Sequence, residues 1–290
     1  MKKIGIIGLG NMGLEMAKNL VESNYTVLGF DTNVQTLTNL KQFGIKEVES
    51  IEAISKNSEI ILTMLPNGSI VNEVWLEAFK FIDSDTLMVD CSTIDVKTTK
   101  YLHKKASQLN IKCLDAPVSG GTIGAKNASL TFMVGGDKKS FEKMLPAFNA
   151  MGSKSILCGP SGSGQGIKMC NNLLLAITMR GVSESFNLAK KLNLDNSSLF
   201  NVISTSSGSC WSVNNYCPIP NIGPNSPADN EFEPGFSVNL MHKDLCLASQ
   251  AADETNANIE FGKLSIELYE KMIKNDKGNL DFSAIINELD

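Results

Sequence analysis

Lys168 stands in Gly164-Gln165-Gly166-Ile167-Lys168-Met169-Cys170-Asn171-Asn172, after a glycine-rich approach and before a pair of amides. A lysine can act as a general base only when neutral. Partial desolvation and a facing positive charge both lower its pKa, and a place near a helix start adds the positive end of the dipole. Such a base could take a hydroxyl proton while hydride leaves the adjoining carbon. Asn172 lies four residues on, so on a helix it shares the face of Lys168 and can bind the same hydroxyl or hold the lysine. Asn171 faces elsewhere.

Hydride needs an acceptor, and the N-terminus carries a site for one. Gly8-Leu9-Gly10-Asn11-Met12-Gly13 fits G-x-G-x-x-G between an apolar run and an amphipathic segment, the context in which that pattern binds a dinucleotide. Gly8 permits the tight turn, Gly10 lets backbone approach a pyrophosphate, and Gly13 lets helix pack on strand. Asp31 follows Gly13 at close to the spacing of the ribose-binding acid, roughly 20 residues. A carboxylate there accepts ribose hydroxyls and repels a 2′-phosphate, so NAD is the expected cofactor rather than NADP.

The third constellation is Ser119-Gly120-Gly121-Thr122. Successive N–H groups in such a turn form an anion nest, suited to a substrate carboxylate. The usual alternative is a bidentate arginine, but the chain has one arginine, Arg180, about 18 Å along the helix from Lys168 at 1.5 Å per residue. His242 could pair with a carboxylate as a base, but it sits beside Lys243, and adjacent helical residues point in different directions.

Strands are expected over 4–7, 26–30, 60–64, 87–89, 112–114, 130–134 and 155–157. Helices are expected over 11–22, 33–43, 70–81 and 96–109. This alternation implies a doubly wound parallel sheet of Rossmann type. Beyond Gly166 the pattern is helical, over 167–192, 195–204, 238–254 and 260–274, with a polar, glycine- and proline-rich stretch at 206–234 of the kind that is usually functional. The expected domains are 1–162, binding NAD, and 163–290, all-α, for substrate and dimerisation and opening on a long helix.

Composition narrows the function classes. A net charge of −5 and a pI near 5.2 disfavour nucleic acid and anionic membrane surfaces. No run of ~20 apolar residues spans a membrane, and the first apolar run, 4–9, leads into the glycine loop rather than a cleavage site, so a cytoplasmic location is expected. Seven cysteines without a C-x-x-C pair read as free, mostly buried thiols, and two histidines leave little for a metal site; no metal is expected.

Four blocks make the chain resemble the β-hydroxyacid dehydrogenase family over its whole length: the glycine loop with Met16-Ala17-Lys18-Asn19-Leu20, Asp115-Ala116-Pro117-Val118-Ser119-Gly120-Gly121, Gly164 to Asn172, and Leu240-Met241-His242-Lys243-Asp244-Leu245. The resemblance implies that Lys168 is the catalytic acid/base and that Ser119 to Thr122 hold the substrate carboxylate. It further implies that Leu65, Pro66 and Thr93 contact NAD and that Lys243 does so from the second domain. Gly8, Gly10, Asn11, Met12, Gly13 and Asp31 complete the cofactor set; Ser119, Gly120, Gly121, Thr122, Asn172 and Trp211 form the substrate set. Where the family places a cofactor-binding asparagine after the Leu-Pro pair, this chain has Ile70, with Asn72 close by. A fifth stretch, Ser206 to Trp211 through Tyr216 and Pro218-Ile219-Pro220, is similar to the branch acting on 3-hydroxyisobutyrate, which implies valine catabolism; the all-helical second half resembles that of the family's dimers and tetramers, which implies a homodimer or homotetramer. Other outcomes are a reductase of tartronate or succinic semialdehyde, or a non-catalytic NAD-binding regulatory module, which retention of Lys168 disfavours. A 6-phosphogluconate dehydrogenase would carry His-Asn at 171–172 and a much larger C-terminal half.

Overall fold

The computed structural model describes residues 2–289. The chain divides into two compact units, Met1–Lys168 and Met169–Asp290. The division falls after Lys168, inside a long helix.

The first unit alternates strands and helices: β1 (Lys3–Ile7), α1 (Asn11–Glu22), β2 (Thr26–Phe30), α2 (Val34–Leu37), β3 (Lys46–Glu47), α3 (Ile51–Asn57), β4 (Ile60–Thr63), α4 (Gly68–Ala78), β5 (Leu87–Asp90), α5 (Val96–Gln108) and β6 (Lys112–Asp115). Then come β7 (Val118–Ser119), α6 (Gly121–Lys126), β8 (Leu130–Gly136), α7 (Lys138–Met151) and β9 (Gly152–Gly159). The sheet runs β3-β2-β1-β4-β5-β6-β8-β7, with β9 on β8. From β3 to β6 every pairing is parallel. The central strands are buried on both faces, as helices on both sides require: α1, α6 and α7 pack one apolar cluster, α3, α4 and α5 the other. The order reverses between β1 and β4, and ligands of such sheets bind at the carboxyl ends of strands flanking that point.

The sheet is mostly, not wholly, parallel. β8 runs antiparallel to β6 and β7, because the short segment carrying α6 between β7 and β8 cannot make a parallel crossover, which takes a dozen or more residues. The single helix expected over 33–43 is two pieces, α2 and a 3-10 turn at Leu40–Phe43. Thr36, Thr38 and Asn39 are weak helix formers, Thr38 Oγ1 donates to the Val34 carbonyl, and Gly44 ends the segment in the left-handed region.

The second unit takes the rest of α8 (Ser163–Lys191), then α9 (Asn196–Thr205), α10 (Trp211–Asn214), α11 (Val238–Thr255) and α12 (Glu260–Lys274). Ala176 and Met179 of α8, Met241 and Leu245 of α11, and Tyr269 and Met272 of α12 form its core with Phe282 and Ile285. Within 206–234 the chain is irregular apart from α10 and a 3-10 turn at Pro227–Asn230. Among the described residues no helix is long and apolar enough to cross a membrane.

Candidate active site

The glycine loop joins β1 to α1. Gly8 takes φ 93°, and a Cβ there would lie 2.3 Å from the Met64 carbonyl oxygen. A Cβ on Gly13 would lie 2.0 Å from the Gly8 carbonyl oxygen, whereas one on Gly10 would meet nothing within 4 Å. Gly10 caps α1 without a side-chain bond, so no side chain caps the first-turn N–H groups, those of Asn11, Met12 and Gly13, and groups of this kind suit a phosphate. Asp31 follows β2 and grips the loop: Oδ2 accepts from the Leu9 N–H at 2.7 Å and Oδ1 from the Asn33 N–H at 2.8 Å. Each oxygen keeps lone-pair capacity for a ribose hydroxyl. These residues suit a dinucleotide.

Next along the sheet, the loops after β4 and β5 are stitched together. The Leu65 N–H donates to Ser92 Oγ at 2.8 Å. Thr63 Oγ1 donates to Asp90 Oδ1 at 2.7 Å and itself accepts from Trp75 Nε1 at 3.0 Å; the Ser92 N–H also reaches Asp90 Oδ1, at 3.2 Å. Asp90 is buried, and burial raises its carboxyl to about 6 against the lowering effect of the Ser92 and Thr63 bonds. This web sets Leu65, Pro66 and Thr93 on two braced loops. Asn67 caps α4 by accepting from the Ile70 N–H, and Asn72 lies partly buried in the same helix.

Lys168 lies early in α8 and is 6% exposed. The helix begins on Asp115, whose Oδ1 accepts from the Gly162 N–H and Oδ2 from the Gln165 N–H. His103 Nε2 lies 3.8 Å from Asp115 Oδ1; burial lowers the imidazole pKa while the Asp115 charge opposes the shift.

Ser119 ends β7, and Gly120 and Gly121 follow with φ 126° and 61°. Two consecutive positive-φ residues turn the backbone sharply at the start of α6, where Thr122 is partly buried.

Asn172, Trp211 and Lys243 belong to the second unit, the other sequence-predicted residues to the first. Asn172 Nδ2 donates to Asp244 Oδ2 at 2.6 Å, and Asn172 Oδ1 accepts from Asn171 Nδ2 at 3.0 Å. Lys243 Nζ lies 3.7 Å from Asp244 Oδ1. Asp244, buried between an amide and a lysine, was not singled out from sequence; its only signal was its place after Lys243. Trp211 is half exposed and stacks on Tyr216 at 4.9 Å, so it is no core tryptophan; Trp75 is. His242 bonds only weakly, to the Cys246 sulfur, and burial lowers its pKa. Arg180 donates to Glu184 at 2.9 Å. Of the seven cysteines, all free, only Cys91 and Cys217 are buried, a correction to the expectation of mostly buried thiols.

Two family models cover nearly the whole chain. Residues 3–159 match the NAD binding domain of 6-phosphogluconate dehydrogenase, and residues 162–289 match the NAD-binding model of NADP-dependent 3-hydroxyisobutyrate dehydrogenase. A protein of Mycobacterium tuberculosis, described as a probable 3-hydroxyisobutyrate dehydrogenase, is 40% identical over 289 residues, covering 100% of this chain and 98% of the relative. The mitochondrial 3-hydroxyisobutyrate dehydrogenase of Drosophila melanogaster is 40% identical over 98% of this chain and 88% of its own. The solved structure of Mycobacterium tuberculosis 3-hydroxyisobutyrate dehydrogenase with L-serine superposes with a TM-score of 0.96, over 100% of this chain and 99% of that one, at 40% identity.

Proposed function

The chain belongs to the 3-hydroxyisobutyrate dehydrogenase family of nicotinamide-dinucleotide oxidoreductases, and on that premise we propose that it oxidises (S)-3-hydroxyisobutyrate to methylmalonate semialdehyde, with Lys168 as general acid/base. The observation that carries the reading is Lys168 itself: a buried amine on α8, in the same unit as the glycine loop. Bound NAD supplies the hydride acceptor. Lys168 Nζ takes the hydroxyl proton as the carbon gives up hydride, and returns it in the reverse direction. Ser119, Gly120, Gly121 and Thr122 hold the carboxylate, Asn172 the hydroxyl or the lysine, and Trp211 walls the substrate. Leu65, Pro66, Thr93 and Lys243 complete the cofactor contacts, and Asp31 sets a preference for NAD over NADP.

The same reading assigns residues 1–162 to NAD binding and 163–290 to substrate and self-association, as a homodimer or homotetramer in the cytoplasm serving valine catabolism. A relative is solved with L-serine, also a 3-hydroxy acid, which supports serine as a further ligand of the substrate site.

Lys168→Ala should lower kcat by roughly 10²–10⁴-fold, the size of a general acid–base contribution, with NAD still bound. Near-normal turnover removes Lys168 from the chemistry. Across a panel of hydroxy acids, 3-hydroxyisobutyrate should give the highest kcat/KM. A win by glycerate or 4-hydroxybutyrate of more than about tenfold, equal to ~1.4 kcal/mol, overturns the substrate.

A further inference from the structure

Two residues of the blocks that carry the family likeness take no part in the chemistry above: Asp115, at the end of β6, and Gln165, in the first turn of α8. Both are fully buried. The Asp115 carboxylate serves two backbone amides with separate oxygens, Gly162 N–H at 2.8 Å and Gln165 N–H at 3.0 Å. Charge-assisted bonds at a helix N-terminus offset the burial of that carboxylate. Glycines make room for it: a Cβ on Gly135 would lie 2.4 Å from Oδ1, and one on Gly164 would lie 2.8 Å from Oδ2.

Gln165 uses both ends of its amide. Nε2 donates to the Ser92 carbonyl at 2.7 Å, and Oε1 accepts from the Ile94 N–H at 3.2 Å. The two bonded residues flank Thr93. One side chain therefore ties the start of α8 to the loop after β5, while Asp115 ties it to the end of β6. Gln165 and Lys168 are three residues apart, which on a helix puts them on neighbouring positions of one face.

We propose that Asp115 and Gln165 are positioning residues: together they fix the height and rotation of the first turns of α8, and so place Lys168 relative to the loop carrying Thr93. The inference rests on Lys168 being the base. Neither residue touches the reacting atoms; each acts through the lysine.

A double-mutant cycle with full-length enzyme tests it. Gln165→Met keeps the side-chain length and removes both bonds. Gln165→Glu keeps the acceptor for Ile94 and loses the donor to Ser92. With Lys168 present, Gln165→Met should lower kcat roughly 10- to 100-fold, the cost of a misplacement of about 1 Å, and Gln165→Glu should fall between it and the parent. In a Lys168→Ala background, followed with excess enzyme, the same replacement should change the rate less than about threefold, because the group it places is gone. Asp115→Asn, which turns an N–H₂ toward one of the two amides, should follow the same pattern. If Gln165→Met does not fold, Gln165→Glu carries the cycle alone. Equal losses in both backgrounds, or no loss with Lys168 present, overturn the positioning role. Near-normal turnover of Lys168→Ala alone defeats the base assignment, and this inference with it, before the cycle is read, so the two failures are distinguishable.

Discussion

Single side chains here carry more than one task, and Asp31 is the clearest case. Sequence spacing marks it as the ribose acid; the structure adds its grip on the Leu9 N–H inside the glycine loop. Asp31→Ala should therefore weaken NAD by roughly 10- to 100-fold, the worth of about 1.5–3 kcal/mol for a hydrogen bond to a charged group, and narrow the gap to NADP. Dissociation constants for both dinucleotides check this, and a parent enzyme that prefers NADP would defeat it. Asp90 makes a prediction in pH. Its carboxyl rises from the ordinary 3.8 to about 6 because it is buried, so the folded state holds the proton more tightly than the unfolded one. Ionisation thus costs stability, a cost that sets in as pH rises above 3.8 and is complete above about 6. Asp90→Asn, keeping Oδ1 for Thr63 and Ser92, should leave stability little changed at pH 4 and raise it by up to about 3 kcal/mol at pH 8. Urea midpoints at the two pH values read the difference; equal effects at both would exclude burial as the cause of the shift.

At the scale of elements, the β1–α1 junction separates two uses of glycine. A methyl on Gly13 collides with the Gly8 carbonyl, whereas one on Gly10 enters open space. Gly13→Ala should cost about 1–3 kcal/mol of stability, as overpacking does. Gly10→Ala should leave the melting temperature nearly unchanged while weakening NAD, because its methyl stands where the pyrophosphate belongs. If Gly10→Ala melts as low as Gly13→Ala, the space beside Gly10 is not a ligand site. The same junction was the most legible part of the sequence, since turn, helix start and acid are all local signals. The central strands were legible for a related reason: buried on both faces, they read as short apolar runs. α7 was not, although Phe141, Met144, Phe148 and Met151 recur at helical spacing behind an Asp137 cap, because Pro146 interrupts the pattern. Neither was the reversal of β8, which depends on the length of a connection rather than on the strand's own residues. Nor were the bonds of Gln165 to Ser92 and Ile94, which join residues more than 70 apart and leave no periodic trace.

The molecule as a whole sets the last constraint, through what it lacks. Lysine and arginine together number 26, but only one is arginine, and Arg180 is engaged by Glu184 at 2.9 Å. The proposed substrate, 3-hydroxyisobutyrate, must still have its carboxylate held. Without a bidentate guanidinium, the remaining donors are lysines, hydroxyls, side-chain amides and ring N–H groups, and backbone N–H groups. Backbone N–H groups have fixed positions, and the proposed reading puts the carboxylate on those of the turn at Gly120 and Gly121, where φ is 126° and 61°. Ser119→Ala should then cost only its hydroxyl's share, on the order of 1 kcal/mol in substrate binding. Gly121→Val should cost far more, because a β-branched residue at positive φ is a severe outlier and relaxing it reorients the N–H groups. Arg180→Lys should leave the KM for hydroxy acid nearly unchanged. Steady-state kinetics of the three variants rank the effects, and a crystal structure with bound hydroxy acid decides the contact. A carboxylate paired to Arg180, with none of residues 119–122 touching it, would overturn the assignment and require the helical unit to supply the anion site.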